Sequence, residues 1–229
     1  MEVRIEHLLE GAKKSEGLVV IIDVFRAFSL ECYAFNGGAN RIIPVKEVEE
    51  AFRWKEENPS VLLVGERNGI KVEGFDYSNS PYELSEEDLN GKTIIHTTSS
   101  GVQGTSSASK AEEVITGALV NAKAIARYIK DRNPKIVSLV AMGWCGDYTT
   151  EEDEICARYI KSLLEDNEID ISNDIEELKK SDGARFFDED NQLVYPKQDF
   201  YLCTALNKFD FVIRIERNEE GFISRRIDI

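Results

Sequence analysis

Apolar residues along this chain fall into two alternating textures. Short β-branched runs at 18–24, 42–45, 61–65, 93–98, 113–116 and 136–141 are bounded by glycine, asparagine or charged residues, and such runs predict buried strands. Between them, segments 28–36, 46–57, 122–131 and 150–165 repeat apolar residues at spacings of three and four, the pattern of a helix with one face on a core. Strand and helix signals in alternation predict a layered α/β fold with a mostly parallel or mixed central sheet flanked by helices. The stretch 66–81 is rich in glycine and asparagine and reads as a long loop or small hairpin. Loops of that length in a folded domain tend to carry function.

After residue 166 the texture changes. Acidic, polar segments at 166–174 and 182–191 flank a helical 175–180, and apolar patterning resumes at 200–206 and 209–216. The expected organisation is a main α/β catalytic region over 1–165 and a small C-terminal extension over 166–229 that packs on the same domain. The pattern leaves open whether that extension forms a subdomain or returns to the main sheet.

Composition narrows the function. A chain of 229 residues, 42% of them hydrophobic, can bury one large core or two small ones without covalent staples. The longest apolar run, 18–22, is far short of the roughly 20 residues of a bilayer crossing, and the N-terminus lacks a signal-peptide layout. A cytoplasmic enzyme with no membrane partner is expected. Cys32, Cys145, Cys156 and Cys203 form no CxxC pair, and only His7 and His96 are available beside them, which argues against a disulfide framework and against tetrahedral zinc. The net charge of −15 argues against a nucleic-acid partner, which needs a basic stripe. An acidic protein that binds an anion must gather positive charge locally, through arginines, amide N–H groups or a bound cation. Symmetric self-association is common among cytosolic enzymes, and a homodimer is expected on that ground alone.

The candidate chemistry sits where strands end. Asp23 and Arg26 follow the first apolar run, at the carboxyl end where ligands of open α/β sheets collect; Asp23 there can hold a cation, attack phosphorus, or simply cap the next helix. Glu66 and Arg67 lie between glycines 65 and 69, a carboxylate suited to magnesium beside a guanidinium suited to an oxyanion, or an ordinary surface pair. Asn79 and Ser80 stand in a polar turn that ends at Pro81, and a turn alone explains them equally. Thr97, Thr98, Ser99, Ser100 and Gly101 form a hydroxyl-rich exit that can present amides to an anion if a helix begins near Val102, or can merely cap that helix. Gly143 and Gly146 form a loop before Thr150, Glu151, Glu152, Asp153 and Glu154. A capping box accounts for one of those acids, and the surplus points to metal through Glu152 or Asp153. His96, inside a strand, reads as a core or supporting histidine, and Asp199 lies among aromatics.

The order of these motifs is more specific than any one of them. IDVFRA at 22–27, GERNG at 65–69, FDYSNSP at 75–81, TTSSG at 97–101, GALVNA at 117–122, and GxxG followed by EEDEICA at 151–157 together resemble the 2-phosphosulfolactate phosphatase family. The resemblance covers roughly residues 17–160. It implies an α/β fold, magnesium dependence, and hydrolysis of 2-phosphosulfolactate to sulfolactate and phosphate in coenzyme M biosynthesis. Carried onto matching positions, it implies catalytic roles for Asp23, Arg26, Arg67 and Cys156. It implies substrate contacts from Asn79, Ser80, Thr97, Thr98, Gly101, Asn121, Gly143 and Gly146, with Ser99 a further substrate-binding candidate on the same strand exit, and a Mg2+ site built from Asp23, Glu66, Glu152 and Asp153. Ser99-Ser100 replaces a Thr-Asn common in the family and keeps hydrogen-bonding side chains, so the departure bears on substrate preference. Direct attack by water is favoured over a phosphoenzyme on Asp23 or Cys156, because the second acid of haloacid-dehalogenase phosphatases is replaced by Phe25. A kinase or transferase is disfavoured by the missing Walker and GxGxxG loops, and a non-catalytic anion-binding protein is the remaining rival.

Overall fold

The computed structural model describes residues 1–218 and 221–229. The chain begins with β1 (Glu2–His7), α1 (Leu8–Lys14), β2 (Gly17–Ile22), α2 (Ala27–Asn36), β3 (Arg41–Pro44) and α3 (Val48–Glu57). It continues through β4 (Leu62–Arg67), β5 (Ile70–Lys71), α4 (Pro81–Ser85), β6 (Thr93–Thr97), α5 (Gly101–Ser107), β7 (Ala111–Gly117), α6 (Ala122–Arg132) and β8 (Ile136–Ala141). It ends with α7 (Glu151–Leu164), α8 (Ser172–Leu178), α9 (Lys197–Cys203), β9 (Phe211–Asn218) and β10 (Gly221–Asp228). The described strands form one sheet in the order β1-β8-β2-β7-β9-β10-β3-β6-β4-β5.

The sheet is a layered α/β arrangement of two parallel sets. Strands β1, β8, β2 and β7 run parallel to their neighbours, as do β3, β6 and β4. Between the sets stands the antiparallel pair β9 and β10, joined to β7 on one side and to β3 through Ser224 and Ile42 on the other. The C-terminal chain thus returns to the middle of the sheet, the choice that the sequence leaves open. Following the antiparallel steps, the two parallel sets point in opposite senses. Asp23, just after β2, and Glu66 of β4 nevertheless reach one cavity.

Both faces of β2 are covered, which explains its unbroken apolar run. Val19 and Ile21 pack with α2, Ile42 of β3, Val64 of β4, Ile94 of β6 and Ile213 of β9. Leu18, Val20 and Ile22, on the opposite face by the two-residue period, pack with Ile125 and Ile129 of α6, Ile155 and Tyr159 of α7, and Phe186 and Phe200 of the C-terminal chain. A smaller core joins Ile43, Leu63 and Ile95 to α3 through Ala51. Helix α2 is buried on all sides from Ala27 to Phe35, so it serves as the central post between the two parallel sets.

The strands and helices expected from the pattern are present, with ends shifted by a few residues. Further elements lie outside those runs. Strand β1 alternates the charges of Glu2, Arg4 and Glu6 with Val3 and Ile5 and lies at the sheet edge, where half-burial suits that alternation. Helix α4 is five residues long. Strand β10 carries Arg225, Arg226 and Asp228, yet it is held by eight partners along β9. The 66–81 stretch forms a hairpin where β4 meets β5, pairing Glu66 with Lys71. Among the described residues no helix is long and apolar enough to cross a membrane. Because Leu30 of α2 is fully buried, Leu30→Ala is expected to cost about 2–5 kcal/mol in urea unfolding; a loss under about 1 kcal/mol would contradict the central-post role.

Candidate active site

The ends of β2, β4, β6 and β8 and two C-terminal residues surround one cavity of about 420 Å³, counting its open mouth. Asp23, the residue after β2, reaches it with its carboxylate. Its Oδ1 accepts from the Ala27 amide at 3.4 Å, and the Gly101 amide also donates to it. Gly101 has to be glycine here, since a Cβ would lie 3.1 Å from Asp23 Oδ2 and 2.8 Å from the Phe28 ring. Glu66 enters from β4. Its Oε1 accepts from the Ser99 amide at 2.7 Å, and its Oε2 accepts from the Gly69 amide at 2.6 Å and the Ser99 hydroxyl at 3.0 Å. Carboxylate oxygens take more than one donor, so these bonds aim Glu66 without exhausting it.

Arg26 is the anchored cation of the cavity. Its Nη1 donates to Asp199 at 2.9 Å and to the Val194 carbonyl at 2.9 Å, while Nη2 donates to the Gly69 carbonyl at 3.1 Å. The Tyr195 ring lies 5.1 Å from its guanidinium carbon. Gly69 has φ +82°, and a side chain there would strike the Tyr195 hydroxyl, so glycine lets the C-terminal chain close over the hairpin. On another wall, His96 lies between Glu31, 3.0 Å from Nδ1, and Asn79, 3.0 Å from Nε2. With Oδ1 against the ring, Asn79 is held in place where it lines the cavity.

The loop after β8 supplies Gly143, Trp144 and Cys145, and the turn at 184–187 supplies Arg185. Asp153 clamps the loop in place, its Oδ1 accepting from the Val24 amide and its Oδ2 from the Gly143 amide, each at 2.8 Å. Asp23, Arg26, Glu66, Asn79, Ser99 and Gly143 therefore meet at one cavity, with Gly101 behind Asp23. Phe25, Asn68, Gly69, Trp144, Cys145, Arg185 and Tyr195 also line it and stand outside the candidates read from sequence. Only a strand-end rule extended to whole loops would have found the first five.

Several sequence candidates are placed elsewhere by local bonding. Arg67 turns away, donating to the Glu66 carbonyl at 2.8 Å and the Thr97 hydroxyl at 2.7 Å, so both Arg67 and Thr97 are spent on each other. Thr98 accepts from the Val102 amide at 3.2 Å and caps α5. Ser80 caps α4 and donates to Asp199 at 2.7 Å. Asn121 accepts from the Ala118 amide at 3.1 Å, and Gly146 packs on Leu9. Cys156, expected as a catalytic residue, is fully buried and does not line the cavity, and burial, followed by the Asp153 charge, holds its thiol well above the usual range. Glu152 and Asp153, expected as metal ligands, are buried and do not line the cavity. Nor does Thr150 form the expected capping box. Its side chain makes no cap bond, and Asp182 accepts from the Glu151 amide at 2.7 Å instead.

The sequence model of the family described as 2-phosphosulpholactate phosphatase matches residues 4–218 of this chain. The chain belongs to the 2-phosphosulpholactate phosphatase family. It is 33% identical over 204 residues to a Bacillus subtilis protein named a probable 2-phosphosulfolactate phosphatase, covering 88% of each chain. It is 38% identical over 213 residues to a protein of the same name from Caldanaerobacter subterraneus, covering 86% of this chain and 87% of that one. A Clostridium acetobutylicum protein, likewise named, is 39% identical over 159 residues, which is 69% of this chain and 67% of that one. The chain is accordingly an enzyme of the phosphoric monoester hydrolase class.

In a member of this phosphatase family, the electrostatics of the cavity carry a measurable signature. Burial, and then the Glu66 charge, push the Asp23 carboxyl up to about 6. Burial pushes Glu152 up to about 7 against the pull of Arg185. Asp153 is raised well above its usual range by burial, Glu152 and Asp23. The thiol of Cys145 is raised by burial and by Glu66, so it stays protonated at neutral pH. For acids whose folded values exceed their unfolded ones, the stability contribution is present below the unfolded value and is lost as pH rises through the folded value. The metal-free protein should therefore melt lower at pH 8 than at pH 5, by roughly 3–10 °C, and Asp23→Asn should flatten the profile. A wild-type melting temperature that rises across this window would contradict the charge assignment.

Proposed function

We propose that this enzyme hydrolyses 2-phosphosulfolactate to sulfolactate and phosphate with the help of Mg2+. The observation that carries the proposal is the convergence of two buried carboxylates, Asp23 and Glu66, with the Arg26 guanidinium on one cavity in a chain of this family. Among the described residues no three His, Cys, Asp or Glu side chains gather as a complete metal cage. Magnesium does not require one, since it is commonly held by one or two carboxylates together with waters and substrate phosphate oxygens. Asp23 and Glu66 fit that demand, because the Glu66 charge opposes ionisation of Asp23 and a bound cation would relieve that opposition. They are the residues that would hold the ion; when bound, it supplies charge neutralisation at a phosphate oxygen and an acidified water.

The rest of the work falls to the chain. Among the described residues, Arg26 spends three of its N–H groups on protein oxygens, which leaves two to meet phosphoryl oxygens at a fixed position. Asn79 adds an amide donor, and Ser99 holds Glu66 in its aim. As a water oxygen bonds to phosphorus, the ester P–O bond breaks, and the water's proton ends on the leaving oxygen. Positioning and charge stabilisation account for most of the rate in this chemistry. Of the two nucleophiles read from the sequence, Cys156 is buried and does not line the cavity while Asp23 does, and direct attack by water remains the favoured route.

The test is phosphate release from 2-phosphosulfolactate, 2-phospholactate and phosphoglycolate, with Mg2+ and then with excess EDTA. Release that needs the metal and is fastest on the sulfonated ester is expected, and Glu66→Gln should lower kcat/KM by roughly 100-fold. Mg2+ should also raise the melting temperature of the wild type at pH 8 and not that of Glu66→Gln. No release from any ester by folded, metal-supplied protein would leave a non-catalytic anion binder as the reading.

A further inference from the structure

Arg185 lies outside every sequence motif, in an acidic stretch whose local pattern suggests only a solvated turn. The structure places its guanidinium carbon 5.0 Å from the Trp144 ring centre, 5.2 Å from Phe186, 5.6 Å from Tyr195 and 5.8 Å from Phe25. It lines the same cavity as Arg26, and both guanidinia face the Tyr195 ring. Their bonding differs. Arg26 is committed to three protein oxygens, whereas no described residue forms a hydrogen bond or ion pair with Arg185, and its Nε is buried without a partner. A buried donor left unpaired costs about 1–3 kcal/mol, so the arrangement suits an acceptor that arrives with a ligand.

The surroundings select the kind of acceptor. Ring faces attract a guanidinium and shield it from water, and Arg185 lines the cavity, where a ligand can meet it. A guanidinium is weakly hydrated and forms paired bonds to planar sets of oxygens. A phosphate ester near neutral pH carries close to two charges and gives up water reluctantly. A sulfonate spreads a single charge over three oxygens and enters an aromatic enclosure at lower cost. The carboxylate pair and the anchored Arg26 already serve the reacting group. Resting on the hydrolytic reading above, we infer that Arg185 binds the non-reacting sulfonate of the substrate and sets the preference for sulfonated over unsulfonated phosphoesters.

The inference is tested with Arg185→Gln and Arg185→Lys, assayed with Mg2+ on 2-phosphosulfolactate and on 2-phospholactate, in which a methyl replaces the sulfonated carbon. Arg185→Gln should raise KM for the sulfonated ester by about 10- to 100-fold, while kcat/KM for phospholactate stays within about 3-fold of wild type. Arg185→Lys should recover part of the loss. Equal losses on both esters, or no loss on either, would overturn the inference. Calorimetric titration with 3-sulfolactate and with lactate, which needs no turnover, separates this result from the catalytic reading. The wild type should prefer sulfolactate and Arg185→Gln should lose that preference. If no ester is hydrolysed yet this contrast holds, the phosphatase reading fails and the sulfonate site stands; if hydrolysis proceeds without the contrast, the sulfonate site fails alone.

Discussion

The buried pair of Arg26 and Asp199 joins four stretches of chain that are remote in sequence, and the cavity exists only where they meet. Arg26 ties the exit of β2 to the Gly69 carbonyl of the hairpin and to Val194 of the C-terminal chain. Asp199 adds the start of α4, accepting from the Ser80 hydroxyl at 2.7 Å and the Tyr82 amide at 3.0 Å. Both side chains are almost wholly removed from water. Such pairs recover little more than their desolvation cost, and burial indeed outweighs Arg26 in holding the Asp199 carboxyl above its usual range. Removing one partner is a different matter, because the other charge is stranded, at a cost of about 3–5 kcal/mol. The pair thus gives the fold geometry more than stability. It fixes where the hairpin, α4 and the Tyr195 segment stand around Asp23.

A second constraint is charge. A protein of net charge −15 that takes a multiply charged anion has to oppose its own field at the site. Here the carboxylates of Asp23 and Glu66 share one cavity with two guanidinia, Arg26 committed to protein oxygens and Arg185 among rings. Asp153 ties the exits of β2 and β8 together through backbone amides, and the charge of Asp23 helps hold its carboxyl above the usual range. A cation among the carboxylates would lower the repulsion and complete the attraction for substrate.

Much of this was legible in the sequence, and for identifiable reasons. The apolar run of β2 predicts a strand, and an Asp at its carboxyl end lies in the cavity for the topological reason that made it a candidate. Glu66, Ser99 and Gly143 follow the same logic at β4, β6 and β8, while Asn79 comes from the turn before α4. Residue type without direction misled. Arg67 sits beside Glu66 in sequence, but alternate residues of a strand face opposite ways, and its guanidinium bonds Thr97 outside the cavity. Acids in succession at the start of α7 look like a metal cluster, yet each has a separate neighbour: Asp182 beside Glu151, Arg185 near Glu152, backbone amides on Asp153 and His7 on Glu154. Arg185 and Tyr195 were not legible, because a short 3-10 turn and a bend leave no periodic signal and reach the site through tertiary packing with Phe25 and Phe186.

The central claim is that the Arg26 and Asp199 contact assembles the cavity wall while the sheet stands without it. Hydrogen exchange followed by mass spectrometry on Asp199→Asn, compared with wild type, tests this most directly. The account predicts faster exchange confined to the 66–71 hairpin, the start of α4 and the 184–196 segment, with β2 and β8 as protected as before. Unchanged protection in those segments, or an even loss across the whole chain, would contradict it.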